Sequence, residues 1–158
     1  MTDDSEHDAL LLEAARGKLF GDGFFGALAA AQPDPERREK LETIQIIEAR
    51  SVTSLQRVLR AAGLRVGDPA AVRREGAALA AAVEPENWQL LMRQMRDAVA
   101  PVVERYERLR AIAPDPGDPA LVALCNSEAT LREFAELELA GDERRARKAL
   151  ERHLRRPA

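Results

Sequence analysis

Apolar side chains recur at steps of three and four along most of this chain, and no strand-like alternation runs far enough to compete with that period. The clearest stripe is Leu41, Ile44, Glu48, Ser51, Leu55, Val58 and Ala62, widened by Ile47, Val52 and Leu59. Such spacing places these residues on one face of a helix. A second stripe follows Trp88, Leu91, Met92, Met95, Val99, Val102, Tyr106 and Leu109, and a third Leu121, Leu124, Cys125, Glu128, Leu131, Phe134 and Ala135. Aromatic and methionine residues at this spacing read as core packing rather than as a ligand pocket.

Prolines, glycines and aspartates punctuate these stripes. A Pro33-Asp34-Pro35 break separates a helix over about 8–31 from one over about 36–62 that closes at Gly63. Asp68-Pro69 reads as a cap and first helical residue, opening a shorter helix to about Val83. Further helices are expected over about 86–113 and 120–140, with Asp142 capping a short basic helix that ends near Leu154. The first helix is irregular, because Gly17, Gly21, Gly23 and Gly26 lie among Phe20, Phe24 and Phe25. Interior glycines weaken a helix, so they imply a kink, a break or a close helix contact, with a kink near Gly21–Gly23 favoured.

Loop lengths carry topology. The hairpin loops are short, but about 23 residues containing a helix separate the second long helix from the third. That connection is long enough to cross a bundle. The fold class expected is all-α: two antiparallel hairpins with a long helical crossover, plus a short C-terminal helix. At 158 residues the chain suits a single helical-bundle domain, with 1–7 and 155–158 as flexible tails.

Composition narrows the function classes. A formal net charge of -3 gives no global field for nucleic acid or an anionic membrane. The basic C-terminal run, Arg144 to Arg156, lacks interleaved aromatics and reads as a solvated helix whose charges complement its own dipole. The apolar stretch 77–83 is far shorter than the ~20 residues a membrane helix needs. Residues 1–8 lack the basic start and apolar run of a secretory signal, and the single Cys125 suits a reducing compartment as a small buried thiol. The expectation is a cytoplasmic protein that binds neither nucleic acid nor membrane. The Gly17-Lys18 pair is followed by Leu19 and preceded by no strand, which argues against a phosphate loop.

Glu48 and Glu128 interrupt the apolar faces of two long helices in mid-span. A buried, unpaired carboxylate costs several kcal/mol, so each calls for a partner, a proton or a cation. Arg50, Arg132, Ser51 and Tyr106 are the candidate partners. Ser51 and Ser54 lack an internal histidine to activate them, which argues against a serine nucleophile.

The segments Leu41–Leu55 and Asn126–Gly141 resemble the second and last bundle helices of small bacterial ferritin-like proteins. In di-iron members of that superfamily, glutamates and Glu-x-x-His pairs from four helices hold two metals. The resemblance carries over Glu48 and Glu128 as metal ligands, but three residues on stand Ser51 and Leu131 where histidines belong. The two histidines, His7 and His153, fall near the chain ends. Phe20, rather than Glu13, falls opposite Glu48, and Glu104 is at a suitable height but points off its stripe. What the resemblance implies is a ferritin-like protein with a degenerate metal site, acting without cofactor as a binding or assembly module in a homo-oligomer such as a dimer. The alternative is an iron- or manganese-dependent oxidase or stress protein that keeps Glu48 and Glu128 and recruits Glu13 or Glu104 through a kinked helix.

Overall fold

A computed structural model describes residues 3–156, with side-chain surroundings from residue 4. It is all-α, with six helices covering 82% of the described chain. In chain order these are α1 (Asp3–Ala31), α2 (Pro35–Ala61), α3 (Pro69–Ala80), α4 (Trp88–Ile112), α5 (Pro119–Leu139) and α6 (Glu143–Arg155). The expected tails over 1–7 and 155–158 lie partly outside the described residues; residues 3–7 and Arg155 are helical.

The helix ends follow the local chemistry. Asp34, Asp68 and Asp118 each accept the backbone N–H of the second or third residue of the helix they cap, and a proline stands at the first helical position each time. Asn87 and Asp142 cap α4 and α6 in the same manner. Gly63 and Gly141, at φ 71° and 78°, take the left-handed conformation just beyond α2 and α5, where a side chain would be strained.

Helix α1 packs on α2, α3 and α4, while α5 packs on α2, α4 and α6. Ion pairs give the directions. Glu6 and Glu13 of α1 meet Arg108 and Arg105 of α4, so those two helices are antiparallel. Arg57 meets Asp118 and Lys40 meets Glu138, so α2 and α5 are antiparallel as well. Lys18 and Asp22 of α1 meet Glu48 and Gln45 of α2, an antiparallel pair too, so α2 and α4 run the same way and the segment carrying α3 spans the length between them. Its far end is held where the Gln32 side chain donates to the Pro85 carbonyl at 2.7 Å.

The expected kink in the first helix is replaced by close contact. Helix α1 runs unbroken for 29 residues. A Cβ at Gly23 would strike the Arg73 carbonyl of α3, and one at Gly76 of α3 would strike the Phe20 carbonyl of α1. The glycines thus let the two backbones approach, with Asp22 receiving Arg73 Nε at 2.9 Å beside them.

The apolar interior is two large clusters beside a small third of Leu19, Val52 and Val72. One gathers Phe25, Leu28, Leu41, Ile44, Trp88, Met92 and Phe134, and the other Leu11, Leu55, Leu59, Leu109, Leu121 and Leu124. Between the two large clusters, α1, α2 and α5 also carry buried polar residues: Lys18, Glu48, Ser51, Ser127 and Glu128.

Candidate functional site

The polar layer is built around Lys18, which has no solvent exposure. Its Nζ donates to Glu48 Oε1 at 3.0 Å and to Glu128 Oε1 at 2.5 Å, joining α1, α2 and α5 through one ammonium. The same Nζ lies 5.7 Å from the centre of the Tyr106 ring on α4, within range of a cation–π attraction. All four long helices therefore contribute to this layer. Ser51 and Ser127 hydroxyls donate to carbonyls of their own helices, Ile47 and Leu124, and are satisfied there.

Sequence position explains how a lysine enters this interior. Lys18 continues the buried α1 series Leu11, Ala14, Ala15, Asp22 and Phe25 at helical spacing. Four methylenes carry the charge from the α1 axis to the carboxylates on the facing helices. Gly21, one turn on, leaves room for Glu48; a Cβ there would collide with the Glu48 carboxylate.

The electrostatics follow from burial opposed by charge. Burial by itself would depress the Lys18 pKa, but the Glu128 and Glu48 carboxylates, helped by Tyr106, raise it well above the lysine range. Lys18 is thus a fixed cation and not an amine nucleophile. Burial pushes the Glu48 carboxyl up to about 7, with Lys18 opposing and the Glu128 charge reinforcing the rise. The Tyr106 hydroxyl is raised above the tyrosine range, chiefly by burial, and stays protonated.

Glu48 and Glu128 do come together inside the helices, at 3% and 6% exposure. The partners expected for them are wrong, however. Arg50 donates to the Leu154 carbonyl, Arg132 pairs with Glu136, and Ser51 serves its own helix. Only Tyr106 belongs to the site. Glu13 and Glu104 are not recruited: both are exposed, and Glu13 pairs with Arg105 at 2.6 Å. His7 lies within α1 rather than outside the long helices, but 11 residues before Lys18, about 16 Å along the axis. His153 sits on α6 beside Thr130 Oγ1 at 3.4 Å.

These residues do not fit the di-iron or dimanganese centre of the resemblance. Each Glu spends its Oε1 on an ammonium, and the histidine positions hold Ser51 and Leu131. Among the described residues no group of three or more His, Cys, Asp or Glu side chains has metal-binding geometry. A lysine cation occupies the place between the two carboxylates.

A second buried ion pair was missed altogether. Glu138 Oε1 of α5 receives Lys40 Nζ at 2.8 Å and Trp88 Nε1 at 2.9 Å. It lies among the apolar residues of the first cluster, so Trp88 is a core residue with its indole N–H satisfied, as buried tryptophans usually are.

A cleft of about 530 Å³ opens onto the Lys18 layer. Its walls are largely apolar, with Phe20 and Phe24 of α1, Leu79 of α3 and Met95 and Val99 of α4. Glu48, Glu128 and Tyr106 also line it. Elsewhere the basic α6 is a surface helix: Ala146, Ala149 and Leu150 are buried, while Arg147 and Arg152 pair with Glu39 and Glu133 of neighbouring helices. Cys125 is half-buried and its thiol pKa is raised, mainly by burial, which leaves it a poor nucleophile. No described helix is long and apolar enough to cross a membrane. The chain matches no protein-family model, no curated protein and no solved structure.

Proposed function

We propose that this protein is a ferritin-like bundle in which a lysine ammonium has taken the place of metal, and that it works as a binding module rather than as a redox enzyme. The bridge from Lys18 to Glu48 and Glu128 is the observation that carries this reading. Two inward carboxylates from α2 and α5 correspond to the glutamates of the resemblance, and the antiparallel pairs joined by a spanning segment correspond to its topology. The two carboxylates share one compensating ammonium, since a low-dielectric interior penalises an unpaired charge. Without nitrogen donors the site offers little to redox iron. The neighbouring cleft, mainly apolar with a few convergent polar groups, has the character of a ligand site.

Elemental analysis of protein purified without chelator tests this function. Metal well below one ion per chain is expected, with the same melting temperature before and after chelation. Two firmly held iron or manganese ions per chain would overturn the reading in favour of an oxidase.

A further inference from the structure

The Lys18 layer is electrically incomplete on the side that faces the cleft. One ammonium serves two carboxylates, and it engages only the Oε1 atom of each. Neither Oε2 accepts a hydrogen bond from a described residue. The fully enclosed, unpartnered side-chain oxygen among the described residues belongs to Glu138, so the Oε2 atoms of Glu48 and Glu128 are open to the cleft they line. Both side chains are nonetheless more than nine-tenths buried. The cleft therefore ends on two carboxylate oxygens that lack donors and are held behind by a lysine.

We propose that the cleft between α1, α3 and α4 binds an organic amine with an apolar body, its ammonium meeting the free Oε2 atoms of Glu48 and Glu128. The inference rests on the metal-free reading above. Charge complementarity selects the head group: with all three side chains ionised the layer carries one surplus negative charge, and an ammonium donates hydrogen bonds to acceptors that lack a donor. Charge-assisted hydrogen bonds are the strong ones, and more so away from water. The walls select the body, because Phe20, Phe24, Met95 and Val99 offer aromatic and aliphatic surface with scarcely another charge. A cleft of about 530 Å³ lies within the range typical of small-molecule sites, ~300–1,000 Å³. An anionic ligand would meet two carboxylates and is disfavoured by the same argument. A bare divalent cation prefers about six oxygen ligands, and the cleft offers it two free carboxylate oxygens.

Calorimetric titration of the full chain at pH 8 with phenylbutylamine, phenylbutanol and phenylbutyrate tests the proposal. The amine should bind at least about tenfold more tightly than the alcohol, the difference expected for a charge-assisted contact, and the carboxylate most weakly. Ala98→Trp, an exposed position on the cleft wall, should abolish amine binding without touching the buried layer. Glu128→Gln should erase the preference for amine over alcohol. Equal affinity for amine and alcohol, tighter binding of the carboxylate, no amine binding, or amine binding that survives Ala98→Trp would each overturn the proposal. Failure here in a metal-free chain leaves the preceding reading intact, whereas stoichiometric metal would defeat that reading before any amine is added.

Discussion

Lys18 and Glu128, 110 residues apart in sequence, meet with Nζ and Oε1 at 2.5 Å in the interior. That contact ties the first long helix to the last. Its strength is best read by breaking it. Lys18→Met leaves two buried carboxylates uncompensated and should destabilise the chain by about 3–5 kcal/mol in urea unfolding. Replacing the layer as a whole, Lys18→Met with Glu48→Leu and Glu128→Leu, should restore most of that loss, because an apolar layer would merge the two core clusters. A triple variant no more stable than Lys18→Met would show that the layer contributes more than charge balance.

The glycine contacts between α1 and α3 supply a second prediction. Gly23→Ala and Gly76→Ala each force a methyl group against backbone of the facing helix, which cannot yield as a side chain can. Each should cost about 1–3 kcal/mol by overpacking, against the gain in helix propensity that alanine brings at an open site. Thermal unfolding measures both; a rise in melting temperature would contradict the close packing.

Two titrations act in opposite senses. The Glu48 pKa rises from 4.5 to about 7 on folding, so the folded chain binds that proton more tightly. Its contribution is fully present below pH 4.5 and is lost as pH climbs to about 7, with a slope no steeper than about 1.4 kcal/mol per pH unit. His153 does the reverse: burial, with Arg156, Lys18 and Arg50 adding to it, lowers its pKa from 6.5 to about 4. That contribution is present above pH 6.5 and is lost as pH falls towards 4. Relative to the parent, Glu48→Gln should therefore gain stability as pH rises from 5 to 7. His153→Asn should instead gain as pH falls from 6.5 to 4. Denaturant midpoints across pH 4–8 give both differences, and either one reversed in sign would contradict the assigned environments.

Much of the fold was legible because its boundaries are chemical. Asp34-Pro35, Asp68-Pro69 and Asp118-Pro119 open helices, and Gly63 and Gly141 close them, whatever packs around them. The buried carboxylates were legible for the same reason: Glu48 and Glu128 break stripes that are otherwise apolar. Lys18 escaped notice because α1 offers no clean stripe, its apolar residues being interleaved with glycines that pack against α2 and α3. The signal was nonetheless present, since Lys18 stands three residues after Ala15 and four before Asp22 on the buried side. Glycine roles depend on what stands opposite, and α3 could not be placed against α1 from spacing alone. The Lys40–Glu138–Trp88 contact was hidden likewise, each member lying near a helix end where charge is ordinary.

The proposed exchange of metal for lysine is what the rest depends on, and manganese titration of Lys18→Ala beside the parent tests it most directly. The parent should bind no manganese at micromolar concentration by calorimetry or by electron paramagnetic resonance, while Lys18→Ala, with both carboxylates freed, should gain a detectable site. Stoichiometric manganese binding by the parent, undiminished by its lysine, would contradict the account.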